Sequence, residues 1–212
     1  MAPKSNPSAL DASSYRHPDR NGPYEPLRKA TIRAMLEQGI EYNTLSENAL
    51  SWADDQDPFG HVMAPAYVHY AGNCFVRLLE SFQDRLKDKY SDLMSGRGIG
   101  PMTNQSTIKI KRVVKYPDLI IAGARISDVR SDRIHVVYSI WSVNQNAQVA
   151  EVHTWVVFFD HKQKRTANLI EEGSVYQSLH ASLTERAAES SRTLKAWQEK
   201  QAQKADAKKA NL

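Results

Sequence analysis

The sequence predicts an α+β domain in which a curved antiparallel sheet wraps one long helix, with a further helix near each end. Three observations carry that expectation. Apolar side chains recur at spacings of three and four between residues 64 and 89, the stripe of a packed helix. From Thr107 onward the period switches to two, in β-branched and aromatic runs. The connections between those runs are a few residues of turn chemistry, so consecutive strands fold back on one another.

Taken in order, residues 1–23 are rich in Pro, Ser, Asn, Asp and Gly, lack an apolar run, and read as a mobile arm, not a signal peptide. Pro26 suits a first helical turn, Leu27, Ile32, Met35 and Leu36 form a partial apolar face, and Gly39 closes a helix over 26–38. Leu50 and Trp52 alternate with small or polar neighbours, a brief strand before the loop 54–61. The long helix starts at Ala64 or Pro65, carries Ala71, Cys74, Phe75, Leu78, Leu79 and Phe82 on one stripe, and runs to about Lys89. At ~1.5 Å per residue it measures about 37 Å. Its first half is apolar on nearly all sides and is the half expected to be buried. Residues 95–106, with Gly96-Arg97-Gly98-Ile99-Gly100, read as a loop with a hinge or flap.

Strands are expected from 107, over 119–126, 133–143 and 148–160, in a four-strand meander with turns at 116–118, 130–132 and 144–146. Val156-Val157-Phe158-Phe159 is apolar on both strand faces, so the second sheet face should be covered, by another subunit in a homodimer or a dimer of dimers. Leu183, Ala187, Leu194 and Trp197 fall on one stripe of a C-terminal helix. The expected organisation is an arm at 1–23, the body at 24–180, and a C-terminal helix with a basic tail at 181–212.

Composition narrows the function. The chain of 212 residues has 41% hydrophobic and 25% charged residues, ordinary for one globular domain. Its single cysteine, Cys74, excludes an internal disulfide or a thiolate metal cluster. The formal charge of +4 belongs to the ends, chiefly to Lys200, Lys204, Lys208 and Lys209 against Asp206, and the body between 23 and 199 is neutral. A neutral body argues against a nucleic-acid groove, which needs clustered cations. No window approaches the ~18 apolar residues of a membrane span. Phosphate-loop, Gly-x-Ser-x-Gly and His-Glu-x-x-His signatures are absent, and the seven histidines lack helical pairing for a metal.

The informative constellation is Asp55-x-Asp57-Pro58-Phe59-Gly60-His61-Val62-Met63-Ala64-Pro65-Ala66-Tyr67, on the loop entering the long helix. One reading is an Asx-type turn followed by a helix entry with Pro near its first position. The other is chemical. First-turn amides of a buried helix are unsatisfied donors with partial positive charge, suited to polarising a carbonyl. A carboxylate a few residues earlier can attack that carbonyl or activate a water beside it.

These residues carry a resemblance. Asp57-Pro58-x-Gly60-x-Val62-x-x-Pro65-x-Tyr67, a long helix and strands ending Val157-Phe158-Phe159-Asp160 resemble the 4-hydroxybenzoyl-CoA thioesterase group of the hot-dog fold. The likeness spans residues 45 to 170 and includes Lys115-Tyr116-Pro117-Asp118-Leu119 before a strand containing Gly123. It implies an acyl-CoA thioesterase, with an acyl- or aroyl-CoA as substrate and no cofactor. The matching aspartate, Asp57, becomes nucleophile or general base, and the amide of Ala64 becomes the oxyanion contact. Gly60, His61, Met63, Tyr67 and Asn73 are then placed around bound substrate. Met63-Ala64-Pro65 departs from the asparagines usual there. His61 either lines the site or orders its loop; Tyr67 packs beneath it; Asp55 raises the pKa of Asp57 or caps the turn; Asn73 is polar on the helix with a structural alternative. Cys74 lies on the apolar stripe as inert core. A second reading is a catalytically silent hot-dog scaffold that binds an acyl group or a protein partner. The terminal Ala210-Asn211-Leu212 resembles a variant of the peroxisomal Ser-Lys-Leu address, with the cytoplasm as the alternative location.

Overall fold

The computed structural model describes residues 25–210, so the arm at 1–23 and the last two residues of the Ala-Asn-Leu terminus lie outside the described residues. Helix α1 (Glu25–Glu37) leads through a short 3-10 turn (Tyr42–Thr44) to β1 (Ser46–Ala49). Three helices follow: α2 (Ala64–Glu80), α3 (Gln83–Leu86) and α4 (Asp88–Ser95). Strands β2 (Ile99–Ile110), β3 (Leu119–Val129), β4 (Arg133–Ser142), β5 (Ala147–Asp160) and β6 (Arg165–Thr166) precede α5 (Ser174–Ala210). The sheet is antiparallel in the order β1-β3-β4-β5-β2, with β6 also on β5.

The alternation in β3 shows how sequence positions the central helix. Ile120, Ala122, Ala124 and Ile126 face inward with Ile134, Val136, Tyr138 and Ile140 of β4, and this surface packs on Tyr67, Tyr70, Ala71, Cys74 and Leu78 of α2. The odd-numbered residues Leu119 and Ile121 face outward with Trp141 and Val143, where Met35, Ile32 and Ala34 of α1 and then Ile40 and Leu45 cover them. A Cβ on Gly123, on that outer face, would lie 2.5 Å from Ile40 Cγ2 and 2.7 Å from Leu45 Cδ2. The strand therefore needs glycine there for α1 and the 3-10 turn to approach.

Several expectations are corrected. The first strand is Ser46–Ala49, with Trp52 beyond it and exposed. Pairing with the first four residues of β3 decides that register, which a two-residue alternation could not. The central helix ends at Glu80, making it about 25 Å long. There Ser81 Oγ donates to the Leu78 carbonyl at 2.6 Å and the buried Phe82 turns the chain. Lys87, at φ +47, separates α3 from α4, and Leu86 and Leu93 bury beside them. Only one face of α2 is buried, since Pro65, Val68, His69 and Gly72 in its first half are exposed. The expected loop at 95–106 is largely strand. Gly96 in the left-handed region ends α4, and β2 pairs with β5 from Ile99 onward, with a bulge between Thr103 and Gln105. Pro101 is tolerated because β2 is an edge strand. For the same reason the meander has three strands, β3-β4-β5, with β2 carried to the far side of β5.

Part of the second sheet face is covered by α1 of the same chain, where the sequence predicts another subunit. Past Ala122 the free edge of β3 is closed by the Glu41 amide and Thr44 hydroxyl, both bonded to Ala124 O, and α5 lies against this strand. Leu179 and Leu183 of α5 join Phe82, Ile134 and Phe158 in the core. Arg186 pairs with Glu41, donates to Ser81 Oγ at 2.9 Å, and stacks 4.5 Å over the Phe82 ring. No helix among the described residues is long and apolar enough to cross a membrane.

Candidate active site

The loop between β1 and α2 is built by its own carboxylates. Asp55 Oδ2 accepts the Ser51 amide at 2.7 Å, and Asp54 Oδ2 accepts the Ser51 hydroxyl at 2.6 Å. Asp57 closes the tip, its Oδ1 accepting the amides of Phe59 and His61 at 2.9 Å each. Gly60, at φ +74, permits the tight turn, and its amide reaches Asp57 O at 3.0 Å. The second oxygen of Asp57 lies 3.9 Å from His61 Nδ1. The loop is then stitched to the β2–β3 connection, Val62 N–H donating to Val114 O at 2.9 Å.

The start of α2 follows from the same bonds. Met63 is the N-cap, and its amide donates to Asp55 O at 2.9 Å. Ala66 N–H turns back to Met63 O at 3.0 Å, and Pro65 has no N–H. Ala64 N–H is therefore the first-turn donor with no acceptor inside the helix. It points outward from the positive end of a helix of 17 residues.

Beside it opens a cavity of about 270 Å³. Its walls are Asn48, Ala49 and Ser51 from the end of β1, Asp54 and Asp55 from the loop, and Met63, Pro65, Ala66, His69 and Tyr70 from α2. Of the residues singled out in sequence, Asp55 and Met63 are on the wall and Ala64 stands between two wall residues. Asp57, Gly60 and His61 form the loop tip and are not on the wall. Tyr67 is in the core. Asn73 sits behind the cavity, donating to Asn48 Oδ1 at 2.7 Å, while Asn48 Nδ2 donates to Ser46 Oγ at 3.0 Å. Asn73 thus fixes the wall through Asn48.

Asn48, Ser51, His69 and Tyr70 are wall residues that sequence reasoning passes over. Asn48 faces inward opposite Ile120, a signal visible only once the register of β1 is known. Tyr70 repeats Met63 and Ala66 at helical spacing, and that spacing is the available clue.

Burial dominates the titration of the groups around the site. It pushes the Tyr70 phenol upward, and the nearby Asp55 charge pushes it further. Burial also pushes Tyr67 up to about 12. The Cys74 thiol is pushed up to about 12 by burial, only partly offset by Ser46, which leaves it protonated and unreactive. Asp118 is raised by burial against the opposing bonds from Ser142, Asn144 and Leu119. It ties the start of β3 to the β4–β5 turn, so the Lys115–Leu119 segment is architectural here. Among the described residues, no group of three His, Cys, Asp or Glu side chains is placed to hold a metal ion.

An open amide at a helix start, carboxylates on the loop before it, and a sheet curled round that helix define a protein of the hot-dog class. The model of the thioesterase-like superfamily matches residues 51–197, and the chain belongs to that superfamily. Solved structures share the fold at low identity. A hypothetical protein of Staphylococcus aureus in complex with CoA is 12% identical, with a TM-score of 0.55 over 69% of this chain and 87% of its own. The DHNA-CoA thioesterase of Staphylococcus aureus is 16% identical, with a TM-score of 0.52 over 66% and 93%. The probable thioesterase YbaW of Escherichia coli is also 16% identical, with a TM-score of 0.51 over 64% and 96%. No curated protein matches the chain in sequence.

Proposed function

We propose that the protein hydrolyses the thioester of an acyl- or aroyl-CoA at the amino terminus of α2. The observation that carries this reading is the uncommitted Ala64 amide beside a cavity whose entrance loop is ordered by carboxylates. The thioester oxygen accepts from Ala64 N–H, where the helix end favours the negative charge that develops on it. Asp57 supplies the carboxylate. Its Oδ1 is held by two loop amides, while Oδ2 accepts no backbone amide among the described residues and is the oxygen left for chemistry. Acting as base, Asp57 takes a proton from water as the water oxygen bonds to the acyl carbon. The carbon–sulfur bond then breaks, and the proton passes to the departing CoA thiolate. Acting as nucleophile, Asp57 Oδ2 bonds to the acyl carbon as the carbon–sulfur bond breaks and CoA leaves as thiolate; water then opens the mixed anhydride, returning the Asp57 carboxylate and the free acid, whose proton passes to the thiolate; incorporation of labelled oxygen into the enzyme in a single turnover distinguishes the two.

Membership in the superfamily supports a CoA thioester as the ligand, and one structure of this fold was solved with CoA. The acyl part lies in the cavity along α2. A homodimer is part of the proposal: among the described residues the outer edge of β2 is unpaired, with Met102 and Ile110 exposed, a surface suited to a second copy.

A panel of acyl-CoAs assayed by thiol release tests the reading. D57N keeps an oxygen for the Phe59 and His61 amides, so its melting temperature should stay near wild type while turnover falls at least ~10²-fold. Full activity in D57N refutes the assignment of Asp57. Absence of thiol release with every substrate leaves the silent scaffold.

A further inference from the structure

Tyr70 is 2% exposed, and its hydroxyl has no hydrogen-bond partner among the described residues. Buried hydroxyls are ordinarily paired, because losing water without a replacement is unfavourable. Packing does not explain this one: the ring meets Tyr67 and His69 edge-on, each at 6.3 Å between centroids, and neither contact uses the hydroxyl. The residue is, however, on the cavity wall.

Its direction follows from helix geometry. Long helical side chains lean back over the preceding turn, so a side chain at 70 extends across Ala66 toward the start of α2. There Met63 N–H meets Asp55 O, and Ala64 N–H is open. The Asp55 carboxylate is the acceptor nearest the phenol, but the contact is too loose to satisfy the hydroxyl, and Asp55 Oδ2 already accepts the Ser51 amide. Burial and that neighbouring charge both keep the phenol protonated, so the group is a donor that waits for an acceptor oxygen.

We infer that the Tyr70 hydroxyl is a second hydrogen-bond donor to the thioester carbonyl oxygen, beside the Ala64 amide, and so a catalytic residue of this cavity. The inference rests on the proposed thioesterase reading. No proton leaves Tyr70. As water adds to the acyl carbon, the carbonyl π pair moves onto oxygen, and the two donors hold that oxyanion. When it collapses, the sulfur departs and the same donors release a neutral carbonyl.

The test compares wild type with Y70F. Removing one oxyanion donor should lower kcat ~10²-fold, with KM little changed. The melting temperature of Y70F should equal or exceed wild type, because no intrachain bond is lost; a structural role would instead lower it. Binding is measured by calorimetry with two inert CoA analogues, a ketone with CH2 in place of sulfur and a thioether lacking the carbonyl. Y70F should bind the ketone about tenfold more weakly and the thioether as wild type does. Unchanged kcat in Y70F, or equal loss for both analogues, overturns this inference and leaves Asp57-dependent hydrolysis standing. A wild type that neither hydrolyses thioesters nor prefers the ketone overturns both. Preference for the ketone that Y70F abolishes, without hydrolysis by wild type, sustains the Tyr70 contact and sinks the thioesterase reading.

Discussion

Replacing Gly39 by alanine tests the way α5 is docked on the body. Gly39 ends α1 at φ +78, and its amide donates to Leu36 O at 3.0 Å. A Cβ there would lie 2.5 Å from the Ser190 carbonyl oxygen and 3.3 Å from its carbon. Those atoms belong to the backbone of a helix of 37 residues, which cannot yield as a side-chain tip would. Alanine costs roughly 1–2 kcal/mol for the left-handed backbone, and overpacking adds roughly 1–3 kcal/mol. A loss of about 2–5 kcal/mol corresponds, for a chain of this size, to a melting temperature lower by roughly 4–20 °C. Gly72 supplies the opposite sign. It lies inside α2, and a Cβ on it would meet nothing within 4 Å, so G72A should gain about 0.5–1 kcal/mol. Differential scanning calorimetry with urea unfolding reads both. G39A melting within a degree of wild type, or G72A falling as far as G39A, would refute the packing argument.

Arg186 should behave as the clamp of the same interface. R186A leaves Glu41 half-stranded and removes the contacts to Ser81 and Phe82, a loss of about 3 kcal/mol by urea unfolding, and E41A/R186A should lose less than the two single changes added together. G123A should destabilise by roughly 1–3 kcal/mol and loosen α1, read as faster amide exchange in residues 25–37. Glu151 is raised by burial, but its bonds from Lys111 and Gln148 outweigh this and hold it below the usual glutamate range. A depressed carboxylate contributes stability above its unfolded pKa of about 4.3 that is lost as pH falls through its folded value. E151Q should therefore flatten the acid side of the stability curve, and an unchanged slope between pH 5 and 3 would contradict the pairing.

Much of this protein is set by local chemistry and is legible in its sequence. Pro26 and Gly39 bracket α1 because one lacks the amide that a first turn leaves unused and the other tolerates positive φ. The period-two runs of β3, β4 and β5 and the start of α2 at Ala64 follow from side-chain alternation and from the loop carboxylates. The turn at Asp57 and the helix start at Ala64 are readable for a related reason, since each is fixed by atoms a few residues away.

Long-range pairing decided the rest. Gly- and Pro-containing residues 99–106 are strand because β5 offers a full ladder of partners, and the end of α2 falls at Glu80 because Phe82 is drawn into the core beneath Arg186. The cavity wall combines β1, the loop and α2, whose registers depend on one another across the sheet. The turn built by Asp57, Gly60 and His61 is local and legible in sequence, whereas the place of Asn48 and of the Tyr70 hydroxyl on the cavity wall depends on distant segments packed together. Burial and hydrogen-bond satisfaction are properties of that packing, and no single stretch of chain encodes them alone.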